Sequence, residues 1–381
     1  MPTRVFRIGR IAGIPVGISP LWLVIVALFT WTLGANYFPE AVHGIAPATA
    51  YALGLASTLL LFASILAHEF GHALVARRRG IEVDEIDLWL LGGVSRIRGE
   101  AHTPGDELRF AIAGPAVTVV VALCFGVIAL LLPASTPAAI TALVEYQVLV
   151  NVVLFLFNML PAFPLDGGRV LRSLLWRRSG DLRRATETAA RVGRGFGYLL
   201  VALGVLELVS GVPEGLWLAL IGFFIVTAAS QQAMGAQVQA VLSGVPAREL
   251  MSRPVVSIPA RTTVAQAVTD YVLVHRFASY PVVDAQGRAQ GLLSLAQIEA
   301  LSPGERERRK AIDLAVRDPE LLIDEQDDVA KLLGRAAFAR VGRAVVVDQL
   351  GHPTGLLSIT DVQRALQTSR LAARESAGAA V

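Results

Sequence analysis

The chain has 381 residues, 54% of them hydrophobic and only 17% charged, with a mean hydropathy of +0.56. Soluble domains carry about 25% charged residues, so the composition points to a membrane protein. A net charge of +3 without basic runs interleaved with aromatics gives nucleic-acid binding no support, and the single cysteine excludes an intrachain disulfide framework and a cysteine-rich metal site.

In chain order, long apolar runs alternate with short polar stretches up to about Ser230, and the composition turns ordinary after Ala236. The expected organisation is a membrane domain over 1–230, a linker at 231–244, two soluble repeats at 245–305 and 306–369, and a disordered tail at 370–381. Arg4, Arg7 and Arg10 precede an apolar run that no cleavage site closes, so Pro20–Leu33 reads as a retained span. A membrane-crossing helix needs about 20 residues. Six spans are expected, at Ile18–Gly34, Tyr51–Ala76, Arg109–Leu132, Leu143–Leu160, Gly195–Ser210 and Glu214–Ala229. The last two are short and close together, so four spans plus a re-entrant hairpin at 195–229 is the alternative. Arginines cluster before span one, after spans two and four, and before span three, while 35–50 and 133–142 have neither Arg nor Lys. Both termini are therefore expected to be cytoplasmic. Cys124 lies in an apolar run and reads as a small packing residue. The segment 81–97, IEVDEIDLWLLGGVSRI, reads as a small β hairpin or sheet near the cytoplasmic surface, at the interface or against protein, where it can offer an edge to a substrate strand, and the arginine-rich 177–194 as an interfacial helix.

Span two contains His68-Glu69-Phe70-Gly71-His72. Positions i and i+4 share a helix face, so both imidazoles can hold one zinc ion, with Glu69 beside it to take a proton from water. Ionisable groups inside an apolar span are costly unless they have partners, which makes this cluster a functional site. Two histidines leave zinc short of a protein ligand. No other histidine falls in a span: His43, His102, His275 and His352 read as ordinary surface or packing residues. The best third ligand is an oxygen from NMLPAFPLDGGRV, residues 158–170, where Asp166 sits at a helix end broken by Pro161, Pro164, Gly167 and Gly168. Two nitrogens, one carboxylate and an open position make a four-coordinate hydrolytic zinc site. A metal-permeation protein or a silent scaffold are the rivals, and a base next to the ligand pair favours hydrolysis.

H-E-F-G-H in an early span with N-x-x-P-x-x-P-L-D-G at the end of a later one resembles the site-2 protease family (peptidase family M50), in particular its bacterial and archaeal branch with six spans and a C-terminal CBS pair. The resemblance covers roughly residues 1–365. It implies a polytopic α-helical membrane protein with a small β element, followed by a soluble α/β tandem CBS module. It makes His68, His72 and Asp166 the zinc ligands, Glu69 the catalytic acid/base, and Asn158 the residue that positions substrate backbone or oxyanion. Gly114-Pro115 matches a small-residue break that permits close helix approach or a kink. The implied activity is endoproteolysis inside the plasma membrane of single-span proteins such as anti-sigma factors, in regulated intramembrane proteolysis.

The soluble half repeats internally: YPVVDAQGRAQGLLS and AVVVDQLGHPTGLLS align at an offset of 64 residues. This resembles a CBS pair, which implies dimerisation and ATP, ADP or AMP binding between the halves. The ribose-binding pattern S/T-x-x-D stands in the second copy as Ser358-Ile359-Thr360-Asp361, with Ser358 and Asp361 as the nucleotide contacts. The first copy has Gln297 in the aspartate's place.

Overall fold

The structure is a computed structural model and describes residues 6–80, 82–89, 92–98, 101 and 103–378. His102 falls outside the described residues. The chain divides into two compact units, Met1–Ala236 and Gln237–Val381.

The first unit opens on a hairpin that the sequence reading missed. Strands β1 (Phe6–Ile11) and β2 (Ile14–Ile18) pair antiparallel across Ala12-Gly13, both at positive φ. β2 then pairs in parallel with β3 (Glu82–Trp89), which pairs antiparallel with β4 (Gly92–Arg98), giving the order β1-β2-β3-β4. The expected hairpin at 81–97 is thus the far half of a four-stranded sheet. Ile14 of β2 and Ile86 of β3 are buried with Ala73, and the partly buried Leu66 and Phe70 pack against them, which places this sheet against the helix carrying the histidines.

Among the described residues, six helices are long and apolar enough to cross a membrane. The first joins α1 (Pro20–Thr32) to the short α2 (Phe38–Ala41) through a π turn at Leu33–Tyr37. The others are α3 (Pro47–Arg78), α4 (Pro104–Leu131), α5 (Ala138–Asn158), α7 (Leu182–Val209) and α8 (Gly215–Leu242). Each of α7 and α8 has 28 residues, about 42 Å at 1.5 Å per residue, which removes the need for a re-entrant hairpin. Their apolar centres look short in sequence because polar turns extend both helices.

α6 (Asp166–Ser179) lies between spans four and five. It stops at Gly180 (φ +72°), and Asp181 caps α7 by accepting from the Arg184 amide at 3.0 Å. The arginine-rich 177–194 is therefore not one interfacial helix: it is the end of α6 and the start of α7. A left-handed glycine followed by a capping aspartate separates them. Cys124 also departs from the expectation, because it is exposed on α4.

The second unit contains two three-stranded sheets of identical topology. β5 (Ile258–Pro259) runs parallel to β6 (Ser279–Val283), which pairs antiparallel with β7 (Ala289–Ser294). β8 (Leu322–Asp324), β9 (Arg343–Val347) and β10 (Pro353–Ser358) repeat the pattern. Each antiparallel turn is organised by an aspartate. Asp284 accepts from the amides of Gln286 and Arg288, both at 2.9 Å, and Asp348 from those of Leu350 at 2.9 Å and His352 at 2.8 Å.

The repeats exchange their leading segments. Ala247 and Met251, from α9 (Ala247–Leu250) and the residue after it, are buried in the core of the second sheet with Ile323, Val346 and Leu357. Ala311, which leads the second repeat, is buried in the core of the first sheet with Ile258, Tyr280 and Leu293.

Candidate metal centre

α3 presents His68 and His72 one turn apart on a face turned inward, with only 5% and 4% of their surfaces exposed. Gly71, on the same turn, allows α4 to approach, since a β-carbon there would lie 2.8 Å from the Ala113 carbonyl oxygen. α3 ends on Arg77 and Arg78, whose charges suit the carbonyl end of a helix.

Asp166 reaches this face from a different helix. α5 ends at Asn158, the chain turns through 159–165 (with a cis Phe163–Pro164 bond), and Asp166 is the first residue of α6. The turn folds back on Gly167 and Gly168: a β-carbon at Gly168 would sit 2.6 Å from the Phe163 nitrogen, and one at Gly167 would overlap the carbonyls of Met159 and Leu160. Glycine is required at both positions for that close backbone approach.

α6 is clamped to the start of α4. The guanidinium of Arg172 donates through Nε (3.1 Å) and Nη2 to Glu107 Oε1, in a pair that is 6% and 2% exposed. Ser173 donates to the Pro104 carbonyl at 2.7 Å, and the Arg169 guanidinium lies 4.8 Å from the centre of the Phe110 ring. That ring in turn packs 4.8 Å from the His72 imidazole.

His68 Nε2 and His72 Nε2 are 3.1 Å apart, and Asp166 Oδ2 is 3.1 Å from the first and 3.2 Å from the second. These are not ordinary hydrogen bonds. His72 Nδ1 faces the Phe110 carbonyl at 2.8 Å, and a carbonyl can only accept, so Nδ1 carries the proton. His68 Nδ1 is 2.9 Å from Thr118 Oγ1, which donates to the Gly114 carbonyl at 3.3 Å and so accepts from the imidazole. In the neutral imidazoles both Nε2 atoms then hold lone pairs. Three acceptors converge with no proton among them, which a cation relieves. Ligands of four-coordinate zinc with bonds of about 2.0–2.1 Å are about 3.3 Å apart, so this triangle fits zinc and its two-nitrogen, one-oxygen donor set. The Phe110 carbonyl and Thr118 hydroxyl fix ring tautomer and orientation, as the outer partners of zinc-binding histidines do.

Gly114 faces the same nitrogens. A β-carbon there would lie 2.5 Å from His68 Nε2 and closer still to His72 Nε2. Its role is thus more specific than helix approach, since it leaves open the space in front of the donor atoms. Pro115 does not interrupt α4, which stays helical through it.

The remaining expected residues are placed as follows. Glu69 is half-buried on α3 beside His68. Asn158 closes α5 and donates from Nδ2 to the Leu154 carbonyl at 3.0 Å. α3 and α5 run in the same direction, both antiparallel to α4, and Gln147 on α5 bonds to the Ser57 carbonyl on α3. Eleven residues separate Ser57 from His68 and Gln147 from Asn158, so Asn158 lies at the depth of His68. In the soluble unit Asp361 caps its helix, accepting from the Ser358 amide at 2.9 Å and hydroxyl at 2.6 Å, and its other oxygen accepts from Ser252 at 2.9 Å. Gln297 makes the same cap with Ser294 and donates to the Leu314 carbonyl at 2.6 Å.

The sequence reading passed over Phe110, Thr118, Glu107 and Arg172. Phe110, Gly114 and Thr118 recur every four residues, the same signal that marks His68 and His72, but on an apolar helix without a motif. Arg172 was counted only as a positive charge near the membrane.

Six spans around a buried two-histidine, one-carboxylate cluster define a multi-pass membrane protein with a candidate metal site among its helices. The chain matches the model of peptidase family M50 at residues 56–139 and 126–201, and that of the CBS domain at 247–300. A Mycobacterium tuberculosis protein named as a zinc metalloprotease, Rip3, is 38% identical over 371 residues, 97% of this chain and 94% of that protein. A Synechocystis protein named as a zinc metalloprotease is 33% identical over 372 residues, 95% of this chain and 96% of its own. The solved site-2 protease from Methanocaldococcus jannaschii aligns over 60% of this chain and 95% of its own length at 24% identity, with a TM-score of 0.40. The chain belongs to peptidase family M50, the site-2 protease family of zinc metalloproteases, and carries a C-terminal CBS module.

Proposed function

We propose that the protein is an endopeptidase that hydrolyses peptide bonds within the transmembrane segments of single-span proteins, with His68, His72 and Asp166 holding the zinc. The observation that carries this reading is the triangle of lone-pair atoms, His68 Nε2, His72 Nε2 and Asp166 Oδ2, at 3.1–3.2 Å inside a bundle of membrane helices. Zinc held there supplies Lewis acidity toward water and toward a peptide carbonyl. Glu69 takes a proton from the attacking water and gives one to the leaving amine. Asn158, at the depth of His68 and with Nδ2 donating to the Leu154 carbonyl, offers its amide to the substrate backbone. A substrate helix satisfies its own amides, so it has to unwind locally before its carbonyls reach the site, and helix-weakening residues in the substrate aid this.

Placement of the arginines supports cytoplasmic termini in a bacterial plasma membrane, and membrane-tethered regulators such as anti-sigma factors fit that geometry as substrates. The CBS pair suits dimerisation and adenine-nucleotide regulation through Ser358 and Asp361. Ser358 engages Asp361 Oδ2 twice, whereas Oδ1 accepts one hydrogen bond, from Ser252, and keeps a second lone pair for a ribose hydroxyl.

Replacing Glu69 by Gln and measuring zinc content with cleavage of a helical membrane substrate tests the assignment. Zinc retained with cleavage lost is expected, and unchanged cleavage refutes it. Calorimetric titration of ATP and AMP into the protein and its Asp361→Ala variant tests the nucleotide site, and absence of heat in the unsubstituted protein removes it.

A further inference from the structure

α3 and α4 run antiparallel, so the last turn of the first lies beside the opening turns of the second, at the ends of two spans. Arg79 Nη1 reaches across this junction to Asp106 Oδ1 at 3.2 Å. Between the two helices there is a groove of about 590 Å³, within the range of ligand-sized clefts. Arg78, Arg79 and Arg109 line its polar end. Asp106 is shared, with Oδ1 also 3.4 Å from Arg109 Nη1. Arg78 is exposed and has no ion pair among the described residues. Three guanidinium groups against one carboxylate leave a surplus of positive charge.

The rest of the lining is apolar. Leu108, Ile112 and Ala116 recur every four residues over about 12 Å of α4, and Val75 joins them from α3. This stripe is not the one that serves the metal centre. Phe110, Gly114 and Thr118 stand two residues further on, about 200° around the helix. A molecule in the groove is therefore separated from the metal ligands by the body of α4, so a peptide bond held there would not meet the hydrolytic groups. The site instead suits an anionic head at the helix ends and an apolar tail along the span. Guanidinium groups match phosphate oxygens with paired N–H donors, and basic pockets between helices at the membrane surface suit lipid head groups.

We propose that the α3–α4 groove binds one anionic phospholipid, with its phosphate on Arg78 and Arg109 and an acyl chain along Leu108, Ile112 and Ala116. The lipid bridges the helix that carries His68 and His72 to the helix whose Phe110 carbonyl and Thr118 hydroxyl orient them. The site rests on the membrane spans and not on the hydrolytic reading of the metal centre.

The test is native mass spectrometry of the full zinc-loaded chain, released from nanodiscs that contain phosphatidylglycerol and phosphatidylcholine in equal amounts. Preferential retention of phosphatidylglycerol is expected. The Arg78→Gln, Arg109→Gln double variant should lower that preference about tenfold. Arg177→Gln with Arg178→Gln removes two exposed charges from the end of α6 and should leave it unchanged. Ala116→Phe fills the apolar floor, keeps every charge and should release the lipid. Zinc content reports that each variant is intact, and Ala116→Leu gives the same readout if the phenylalanine variant loses zinc. No preference in the unsubstituted protein, or one that both arginine pairs lower equally, overturns the site. If the preference survives in Ala116→Phe, or inorganic phosphate at matched ionic strength abolishes it, the arginines bind a free anion and the lipid is overturned.

Discussion

Glu107→Gln is the substitution that most directly probes how the metal centre is held. Glu107 and Arg172 are 2% and 6% exposed, and two guanidinium nitrogens converge on one carboxylate oxygen. Glutamine keeps the shape but leaves the guanidinium buried without a counter-charge, which costs about 3–5 kcal/mol when one partner of a buried pair is removed. A domain has only about 5–15 kcal/mol in total, so a large fall in unfolding temperature is expected. The metal should feel it too. Asp166 lies less than two turns before Arg172 on α6, whereas the groups that orient the imidazoles, the Phe110 carbonyl and Thr118, lie on α4 with Glu107. Loosening α6 from α4 separates Oδ2 from the two nitrogens, and zinc affinity should fall about 10–100-fold, the usual effect of losing outer support at a metal site. Competition against a chelator, alongside thermal unfolding in detergent, measures both quantities. The double variant Glu107→Met, Arg172→Met removes both charges and should recover most of the stability. If Glu107→Gln leaves unfolding and zinc affinity unchanged, or the double variant is as unstable as the single one, the buried pair is not what holds α6.

Gly114→Ala places a methyl group against both donor nitrogens and should abolish zinc binding while the chain stays helical, as read by zinc content and circular dichroism. Thr118→Val keeps the volume but removes the partner of His68 Nδ1. Zinc affinity should fall about 10–100-fold with little change in unfolding temperature. The backbone amides of His352 and Leu350 hold the Asp348 carboxyl below the ordinary carboxylate range, and those of Arg288 and Gln286 do the same for Asp284. A folded pKa below the unfolded value gives stability that is present above the unfolded pKa, about 3.9, and lost as pH falls through the folded one. Urea midpoints of the soluble unit should therefore drop below about pH 4, and Asp348→Ala should flatten that drop.

The ligand pair was legible because four-residue spacing on an apolar helix leaves little else for two histidines to do. Asp166 was legible only as an oxygen at a broken helix end, because the turn at 159–165 that swings it onto α3 depends on packing around Gly167 and Gly168. The β1–β2 hairpin was hidden because Arg7, Gly9 and Arg10 resemble the charged flank of a span, and Ala12-Gly13 lacks the Asn-Gly signature of a two-residue turn. α7 and α8 were drawn too short because hydropathy marks where a helix meets lipid, not where it ends. The repeat was visible as a 64-residue offset, but sequence similarity could not reveal that each leading segment packs with the other copy.

That crossing-over has a consequence for how the soluble half can fail or evolve. A cut between the repeats, anywhere near residue 305, would give two fragments, each with a segment that belongs in the other's core: Ala247 and Met251 on one side, Ala311 on the other. Neither fragment would keep a complete core. The pair should therefore melt as one cooperative unit. Two separated halves from different copies of the chain can still complete each other, so a break in this region favours exchange between molecules over simple loss.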